Sequence, residues 1–311
     1  MSVIVCGSVA YDYLMEFDGE FGDFILPDQI HILSVAFNVP RLRKEFGGGA
    51  GNIGFNMKKL DMDPIICATV GKDFGDYRAW LESNDISISG IKVIEDMYTA
   101  QCFITTDQKN NQLTSFHPGA MEEGHNNSIP DVEGIEMVIL SPDGKDSTIL
   151  HANEMQNKGI PIMYDPGQGL PMFDKSEILN FIDQAEWIIL NEYEANLLSE
   201  ITGLDHNEIK AKVSAMIVTK GGQGSDIYVE DQVISIDPIP VENEADPTGC
   251  GDAYRAGLIY GMINDLGWEK SGKLGSILGS IKVQSHGTQN CLLYTSPSPR
   301  DKRQYRMPSS A

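Results

Sequence analysis

The sequence has few basic residues for its 311-residue length. It contains 23 Lys and Arg against 45 Asp and Glu, which gives a formal net charge of −22 at pH 7. A surface with this excess of negative charge repels the phosphate backbone of nucleic acids and the headgroups of anionic membranes. We therefore expect no nucleic acid and no membrane among the partners, whereas a nucleotide needs only a local site and stays possible.

Cysteine and long apolar runs are also scarce. The five cysteines are scattered, odd in number and free of metal-ligand spacing, which is typical of reduced thiols in a cytoplasmic protein. The amino-terminal stretch MSVIVCGSVAYDYL lacks the basic segment of a signal peptide. No apolar run reaches the roughly 18 residues that a membrane span requires. The sequence thus predicts a cytoplasmic location.

Two common phosphate-binding motifs are missing. GWEKSGK at residues 267–273 has most of a P-loop, but Leu274 replaces the Ser or Thr that would hold magnesium, and a helical pattern precedes it instead of a strand. The first predicted strand is followed by CGSVAYD and not by G-x-G-x-x-G, so a Rossmann dinucleotide site is excluded. Any nucleotide site must have another form.

Short β-rich runs alternate with helical patterns over residues 1–290. This alternation predicts an α/β fold with βαβ units and a mostly parallel sheet. The predicted strands are nearly continuous in apolar residues, as strands buried on both faces must be. They are Val3–Cys6, Ile65–Val70, Met137–Leu140, Ile162–Tyr164, Trp187–Leu190 and Met216–Thr219. The predicted helices are Asn52–Leu60, Gly75–Asn84, Ser147–Lys158, Ser176–Gln184, Tyr193–Ile201 and Asn207–Val213.

Small and polar residues follow each predicted strand, in stretches such as Gly7-Ser8 and Asp165-Pro-Gly-Gln168. Ligands of open parallel sheets bind beyond the carboxyl ends of the strands, so a site is expected on that rim. Residues 11–46 and 97–118 instead contain alternating runs with turns between them. We interpret them as a small β-sheet that forms a lid, with a decorative edge hairpin as the alternative.

The stretch DPTGCGDAYRAG at residues 246–257 carries the strongest chemical signal. Asp252 is expected to be the N-cap of the helix that follows. Gly249 and Gly251 can adopt backbone angles that aim successive N–H groups into one anion-binding hollow at the helix start. A carboxylate beside such a hollow could accept a proton from a hydroxyl. An ordinary Asp-capped helix after a glycine turn is the alternative.

Three further stretches suit a nucleotide or a polyhydroxylated substrate, although each has a plain structural alternative. FGGGAGN at residues 46–52 offers close backbone approach and an amide at Asn52, or is simply a glycine-rich loop before a helix. NEYE at residues 191–194 suits magnesium bound through water, or a capped acidic helix start. VTKGGQG at residues 218–224 suits nucleotide phosphates, or a hairpin.

In their order and spacing these four stretches resemble the ribokinase-like (PfkB) carbohydrate kinase family over about residues 1–290. GSVAYDYLMEF, ILPDQIHILSVAF, FGDYRAWL, SFHPGAM and DPTGCGDAYRAG are most similar to the bacterial adenosine kinases of that family. The resemblance implies a ribokinase-like three-layer αβα sandwich with a mostly parallel sheet and a small β-sheet lid. It also implies dependence on ATP and Mg²⁺, activation by K⁺, and a homodimer formed through the lids.

The resemblance further implies a role for particular residues. Asp252 would be the catalytic base, and the N–H groups of Gly249, Cys250 and Gly251 would bind the transferred phosphoryl group. Asp246 and the Thr248 carbonyl would hold a monovalent cation. The residues implied in nucleoside binding are Ser8, Asp12, Gly48, Asn52, Phe116, which would stack on the base, and Gln168. Those implied on the ATP side are Asn191, Thr219, Gly221, Gly224 and Glu194, which would also hold Mg²⁺ through water.

The sequence therefore predicts an ATP-dependent kinase that phosphorylates the 5′-hydroxyl of a nucleoside, with adenosine as the first candidate. A ribose or fructose kinase and a non-catalytic sugar- or nucleoside-binding regulator are the alternatives. Three departures from the adenosine kinase pattern weaken adenosine as acceptor: a single glutamine at Gln168, Ala36 in place of a serine, and Cys102 in place of a lid aromatic. Because strand faces alternate, Phe103 is expected to point away from the pocket.

The last 21 residues, 291–311, do not continue this pattern. They contain three prolines and four basic residues in an otherwise acidic chain. The stretch CLLYTSPSPRD also looks like a translated sequencing adapter. We expect this tail to be non-native, with a genuine disordered tail as the alternative.

Overall fold

The computed structural model describes residues 2–290, so the predicted tail lies outside the described residues. Within this range the chain forms thirteen strands and eight α-helices. The strands are β1 Ser2–Cys6, β2 Ala10–Glu16, β3 Arg41–Gly47, β4 Asp63–Gly71, β5 Ile91–Ile94, β6 Ala100–Thr106, β7 Gln112–His117, β8 Ile135–Leu140, β9 Ile162–Tyr164, β10 Trp187–Asn191, β11 Ala215–Thr219, β12 Ser225–Val229 and β13 Gln232–Ile236. The helices are α1 Gly49–Lys59, α2 Gly75–Ser83, α3 Lys145–Lys158, α4 Lys175–Gln184, α5 Glu192–Thr202, α6 His206–Lys210, α7 Cys250–Ile263 and α8 Trp268–Val283.

Nine strands form one large sheet in the order β13-β12-β11-β10-β9-β8-β1-β4-β5. All neighbouring pairs from β11 to β5 are parallel, and only β12 and β13 pair antiparallel at one edge. The α/β class and the mostly parallel sheet predicted from the sequence are therefore confirmed. Because the parallel strands end on the same side, the polar residues that follow them collect on one rim.

Helices cover both faces of this sheet. The side chains of β1 alternate between the two cores, with Val3 and Val5 in the core that includes α1 and α7. Ile4 and Cys6 lie in the opposite core, which includes α3, α4 and α5. The near-continuous apolar strands follow directly from this burial on both faces.

A separate sheet of four strands has the order β3-β2-β6-β7. Strand β2 pairs antiparallel with β3 and parallel with β6, which in turn pairs antiparallel with β7. The two segments predicted to form a lid thus contribute to one small sheet and not to an edge hairpin of the large sheet. The homodimer expected through these segments stays a prediction.

Among the helices of residues 2–290, none is both long enough and apolar enough to span a bilayer.

Candidate active site

Helix α7 begins at the glycine turn of DPTGCGDAYRAG. Gly249 is its N-cap and has a φ of 80°, in the left-handed region that favours glycine. This turn brings the chain into the helix at Cys250, so Asp252 lies within the first helical turn. The expectation that Asp252 would be the N-cap is therefore wrong. Its side chain makes no capping bond and points instead toward α1.

A chain of hydrogen bonds holds the Asp252 carboxylate. The Asn52 side chain donates from Nδ2 to Asp252 Oδ2 at 2.8 Å. Asn52 Oδ1 accepts from Gln289 Nε2 at 3.2 Å, and Gln289 Oε1 accepts from Trp80 Nε1 at 2.8 Å. Gln289 also donates to the Tyr77 hydroxyl. Because each amide is fixed by its next partner, the Nδ2 group of Asn52 must face Asp252. This donor binds Asp252 Oδ2, so Asp252 Oδ1 is left for another ligand.

The surroundings of Asp252 also change its acidity. Burial raises the pKa of Asp252 to about 6, against the opposing influence of Arg255 and the Asn52 hydrogen bond. Burial likewise raises the pKa of Asp12 to about 7, and repulsion from Asp252 is its second cause. A carboxylate with a pKa near 6 is largely ionised at neutral pH and is a stronger base than an exposed one. Asp252 thus has the acidity expected of a general base.

The backbone N–H groups at the start of α7 differ in their availability. The Cys250 N–H donates to the Pro247 carbonyl at 3.2 Å. The N–H groups of Gly249 and Gly251 make no hydrogen bond to any residue between 2 and 290. They lie at the positive end of a 14-residue helix, where unpaired N–H groups favour an anion. Burial raises the pKa of the Cys250 thiol to about 11, so this side chain adds no thiolate to the site at neutral pH.

The end of β1 and the start of α1 form the neighbouring wall. Gly48 is the N-cap of α1 and has a φ of 86°. A Cβ atom on Gly48 would lie 2.5 Å from the Ser8 carbonyl oxygen, so only glycine allows this approach. Ser8 Oγ accepts from the Gly49 N–H at 3.0 Å. The structure therefore brings Ser8, Gly48 and Asn52 together on the rim, and their role in substrate binding stays a prediction.

The lid sheet presents Asp12 and Phe116 on one face. Asp12 is the cross-strand partner of Cys102, which is in turn the partner of Phe116. The Phe116 side chain is 51% exposed. On the other face, the Phe103 ring stacks on Tyr13 with 4.8 Å between ring centroids. Phe103 thus points away from Asp12, as the alternation of strand faces predicted.

Gln168 lies in a short 3-10 helix, Gly167–Met172, that follows β9. Its side chain is exposed. Within the part of the chain that the structure describes, no hydrogen bond links it to Phe116 or to another proposed substrate residue. The pairing of Phe116 with Gln168 around a base stays a prediction.

A cavity of about 260 Å³ lies beside the start of α7. Thr219, Gly221 and Gly224, predicted on the ATP side, line it together with Cys250 and Gly251. Sequence reasoning missed the rest of its wall, which is mostly small or apolar but also contains the acidic Glu244. It includes Glu244, Pro238, Ile239, Val241, Tyr254, Ser276, Gly279, Ser280 and Val283. The last four of these recur on one face of α8, and the spacing of Ser276, Gly279 and Ser280 along this helix was a usable signal.

Asn191 and Glu194 do not line this cavity. They form a reciprocal capping box at the start of α5, in which Asn191 Oδ1 accepts from the Glu194 N–H and Glu194 Oε2 accepts from the Asn191 N–H, each at 2.8 Å. The capped helix start, the alternative considered for this motif, is therefore present. Glu194 Oε1 is not used in the capping box, so a bond from this oxygen to magnesium-bound water is compatible with the geometry.

The Asp246 carboxylate is engaged by the backbone. Oδ1 accepts from the Thr248 N–H at 2.9 Å, and Oδ2 accepts from the Gly287 N–H at 3.1 Å. Although burial alone would raise it, these hydrogen bonds lower the pKa of Asp246. The predicted cation ligand thus joins the glycine turn before α7 to the segment that follows α8.

Sequence reasoning assigned no role to the two residues of a buried ion pair next to this site. Arg255, one turn after Asp252, donates from Nε and Nη2 to the two carboxylate oxygens of Asp165, each at 2.5 Å. Its Nη1 donates to the Gly251 carbonyl at 3.0 Å. Both residues were visible in the quoted motifs, but nothing local indicated that they would meet.

Three potential metal ligands, Cys6, Cys67 and His151, also come together in the opposite core, within 4.8 Å of one another. They come from β1, β4 and α3, so no sequence spacing could have revealed the group. His151 Nε2 lies 3.9 Å from Cys67 Sγ, and it also contacts the Asn127 carbonyl at 2.8 Å. The ring nitrogen that faces the thiol is thus already hydrogen-bonded to the backbone.

This fold and rim define an α/β protein with a carboxylate beside a glycine-rich helix start. The sequence profile of the pfkB family carbohydrate kinases matches residues 13–295, and the chain belongs to this family. The ribokinase-like fold and the family predicted from the sequence are thereby confirmed.

Among its relatives, the nucleoside kinase of Methanocaldococcus jannaschii is 31% identical over 295 residues, 94% of each chain. The solved structure of that nucleoside kinase has a TM-score of 0.86 and covers 94% of both chains at 30% identity. The structure of Burkholderia thailandensis nucleoside kinase in complex with inosine has a TM-score of 0.85 at 39% identity and covers 93% of both chains. A structure of the same Burkholderia protein in complex with ADP and inosine is 40% identical, with a TM-score of 0.83.

Proposed function

We propose that the protein is an ATP-dependent nucleoside kinase that phosphorylates the 5′-hydroxyl of a purine nucleoside, with adenosine converted to AMP among its reactions. The observation that carries this proposal is the Asp252 carboxylate, fixed by Asn52 at 2.8 Å beside the N–H groups of Gly249 and Gly251. The relatives named nucleoside kinases, one of them solved with inosine and ADP, support a nucleoside acceptor.

In the proposed reaction the nucleoside hydroxyl gives its proton to Asp252 Oδ1, the oxygen that Asn52 does not occupy. The hydroxyl oxygen forms a bond to the γ-phosphorus of ATP as the bond from that phosphorus to the β-phosphate oxygen breaks, and ADP leaves. The N–H groups of Gly249 and Gly251 stabilise the charge on the transferred phosphoryl group. Positioning and charge stabilisation are most of what phosphoryl transfer requires.

Mg²⁺, when bound with ATP, neutralises charge on the β- and γ-phosphate oxygens. Glu194 would hold it through water from Oε1, while Asn191 fixes the orientation of Glu194 through the capping box. The ATP phosphates would approach Thr219, Gly221 and Gly224 along the 260 Å³ cavity.

The nucleoside would lie between the rim and the lid. Ser8, Gly48 and Asn52 supply polar groups and close backbone approach for the ribose, and Asp12 reaches the same space from β2. Phe116 supplies an exposed aromatic face for the base, and Gln168 is proposed to contact its polar edge. Ribose and fructose have no base to stack on this exposed ring, so the ring supports a nucleoside acceptor.

The test of the proposed function is phosphorylation of adenosine, inosine, guanosine, ribose and fructose, measured side by side as ADP release with ATP and Mg²⁺. A purine nucleoside is expected to give the highest kcat/KM. The sugar kinase alternative holds if ribose or fructose gives the highest value. Nucleoside binding without ADP release would instead identify a non-catalytic regulator.

Replacing Phe116 with Ala is expected to raise KM for the preferred nucleoside about 5- to 150-fold, since stacking on an aromatic ring contributes roughly 1–3 kcal/mol per base. The kcat value should change little, because the ring does not touch the reacting atoms. Steady-state kinetics of the variant with a nucleoside and with ribose measure this difference.

The matched control is Leu113→Ala, which removes an exposed apolar side chain on the other face of the same strand. This variant should retain the KM of the parent. Two outcomes would assign the effect to the lid sheet as a whole and not to stacking. One is an equal rise in KM for Phe116→Ala and Leu113→Ala, and the other is an equal rise for nucleoside and ribose in Phe116→Ala.

A further inference from the structure

The most deeply buried charged side chain near the site belongs to Lys282, in the last turn of α8, with 0% exposure. Its Nζ donates to the Asp246 carbonyl oxygen at 2.7 Å and lies 3.4 Å from the Ser285 carbonyl oxygen. Burial of an ammonium group is costly unless carbonyl or carboxylate oxygens replace its water. Here the chain supplies backbone carbonyl oxygens from two separate segments.

These two segments meet next to the glycine turn of α7. The N–H groups of Ala245 and Asp246 both donate to the Val283 carbonyl, at 2.8 and 3.1 Å. The Asp246 carboxylate bonds the N–H groups of Thr248 and Gly287. The ammonium group therefore lies where the chain that enters α7 crosses the chain that leaves α8, and the backbone after Asp246 leads directly to Gly249.

A site for K⁺ in a protein consists largely of backbone carbonyl oxygens that replace the hydration shell of the ion. Of the two residues expected to hold such an ion, Asp246 is in direct contact with the Lys282 ammonium group, and Thr248 is hydrogen-bonded to the Asp246 carboxylate. The Asp246 carbonyl already accepts from Nζ, and both of its carboxylate oxygens accept from backbone N–H groups. A second positive charge a few ångströms away would be repelled. The residues present do not fit a required K⁺ ion.

We propose that the Lys282 ammonium group takes the place of a bound monovalent cation, so that phosphoryl transfer by this chain does not need K⁺. It holds the turn at 246–248 against residues 283–287, and this fixes the direction of the N–H groups of Gly249 and Gly251. Lys282 is in this sense a positioning residue. The inference rests on the proposed kinase function and replaces the sequence-based expectation of activation by K⁺.

The charge of Lys282 also affects the pKa of the proposed base, Asp252. It is one of the positive charges that oppose the rise in the pKa of Asp252 caused by burial. The same charge opposes the burial-driven rise in the pKa of the Cys250 thiol. The ammonium group is thus close enough to influence both ends of the first turn of α7.

The first experiment measures kcat with the preferred nucleoside in K⁺, Na⁺ or tetramethylammonium salts of equal ionic strength. The wild-type protein should vary by less than about twofold among these salts. Lys282→Met keeps the length of the side chain without its charge, and its kcat without K⁺ should fall about tenfold or more, as expected for loss of a buried charged hydrogen bond. Addition of K⁺ or NH₄⁺ should restore much of this loss in the variant.

Lys273→Met is the matched control, because Lys273 lies on the same helix but is exposed and pairs with Glu269 at the surface. It should behave as the wild type in every salt. The proposal is overturned if K⁺ activates the wild type about tenfold, or if folded Lys282→Met keeps full activity without K⁺.

Thermal unfolding gives a readout that does not depend on catalysis. K⁺ should raise the Tm of Lys282→Met above its value in tetramethylammonium and leave the wild-type Tm unchanged. If the wild type phosphorylates none of the acceptors, the proposed function fails while this comparison still tests the cation site. If Lys282→Met does not fold in any salt, the wild type decides: stabilisation or activation by K⁺ overturns the proposal, and indifference to K⁺ supports it.

Discussion

Asp252→Asn is expected to lower kcat by about 10²- to 10⁴-fold and to leave the nucleoside affinity within a few-fold of the wild type. The amide cannot accept the hydroxyl proton, yet its oxygen can still accept from Asn52 Nδ2, so the local geometry is preserved. The expected loss corresponds to roughly 3–5 kcal/mol of activation free energy. ADP release measures kcat, and calorimetric titration with the nucleoside measures binding.

The control for this variant is Asp265→Asn, an exposed aspartate just beyond the other end of α7. Asp265 has a φ of 53°, which asparagine tolerates well, so neither folding nor turnover should change. An Asp252→Asn protein with more than about a tenth of the wild-type kcat would show that another group removes the proton.

The same base predicts how the rate depends on pH. Because burial raises the pKa of Asp252 to about 6, and only the ionised carboxylate accepts a proton, kcat/KM should increase with pH through about 6 and level off above 7. Asp12, with a pKa raised to about 7, lies near enough to repel Asp252. The measured value therefore belongs to the pair of carboxyl groups. The residual rate of Asp252→Asn should lose this dependence.

The strands and the rim could be predicted because one local rule governs each of them. A strand buried on both faces must be apolar throughout, so all six predicted strands coincide with observed ones, from β1 to β11. The rim then follows from parallel pairing alone. The N-x-x-E pattern at residues 191–194 is equally local, and its capping box forms as the pattern indicates.

The start of α7 could not be placed correctly for a different reason. A helix start next to Gly249 depends on whether the glycine adopts a left-handed conformation, and two glycines and an aspartate within four residues allow several registers. Contacts between distant segments decide among them. A Cβ atom on Gly249 would lie 3.1 Å from the Thr288 side chain, so residues far along the chain set the position of the turn.

Gln289 and Arg255 show why the remainder of the site was missed. Gln289 orients Asn52, and Arg255 pairs with Asp165, but each contact joins segments that are separated by many elements. A single sequence contains no spacing rule for such contacts. The residues predicted to touch the substrates lie in local motifs, whereas Gln289 and Arg255, which hold neighbouring groups in place, carried no local signal.

The Asp165–Arg255 pair connects the end of β9 to the second turn of α7. Both Asp165 oxygens accept from the Arg255 guanidinium, which also donates to the Gly251 carbonyl next to the proposed base. The two side chains are almost completely buried. A buried ion pair adds little folding stability compared with apolar residues of similar size, but loss of one partner leaves an unpaired buried charge and is strongly destabilising. The effect of the pair on stability should therefore be clearest when only one of the two residues is replaced.

Arg255→Met is expected to lower the free energy of unfolding by about 3–5 kcal/mol, because it leaves the Asp165 carboxylate buried without its partner. Urea unfolding, followed by circular dichroism, measures this loss. The activity of the folded fraction should also fall, since the Gly251 carbonyl loses a donor at the start of α7.

The double variant Asp165→Leu with Arg255→Met removes the unpaired charge, so it should recover part of the lost stability and little of the activity. Arg78→Met, which removes an exposed arginine, should cost no more than about 1 kcal/mol. The comparison is with the summed losses in free energy of unfolding of Asp165→Leu and Arg255→Met. If the double variant loses as much as this sum, pairing of the two charges does not contribute to stability, and Arg255 acts through its packing alone.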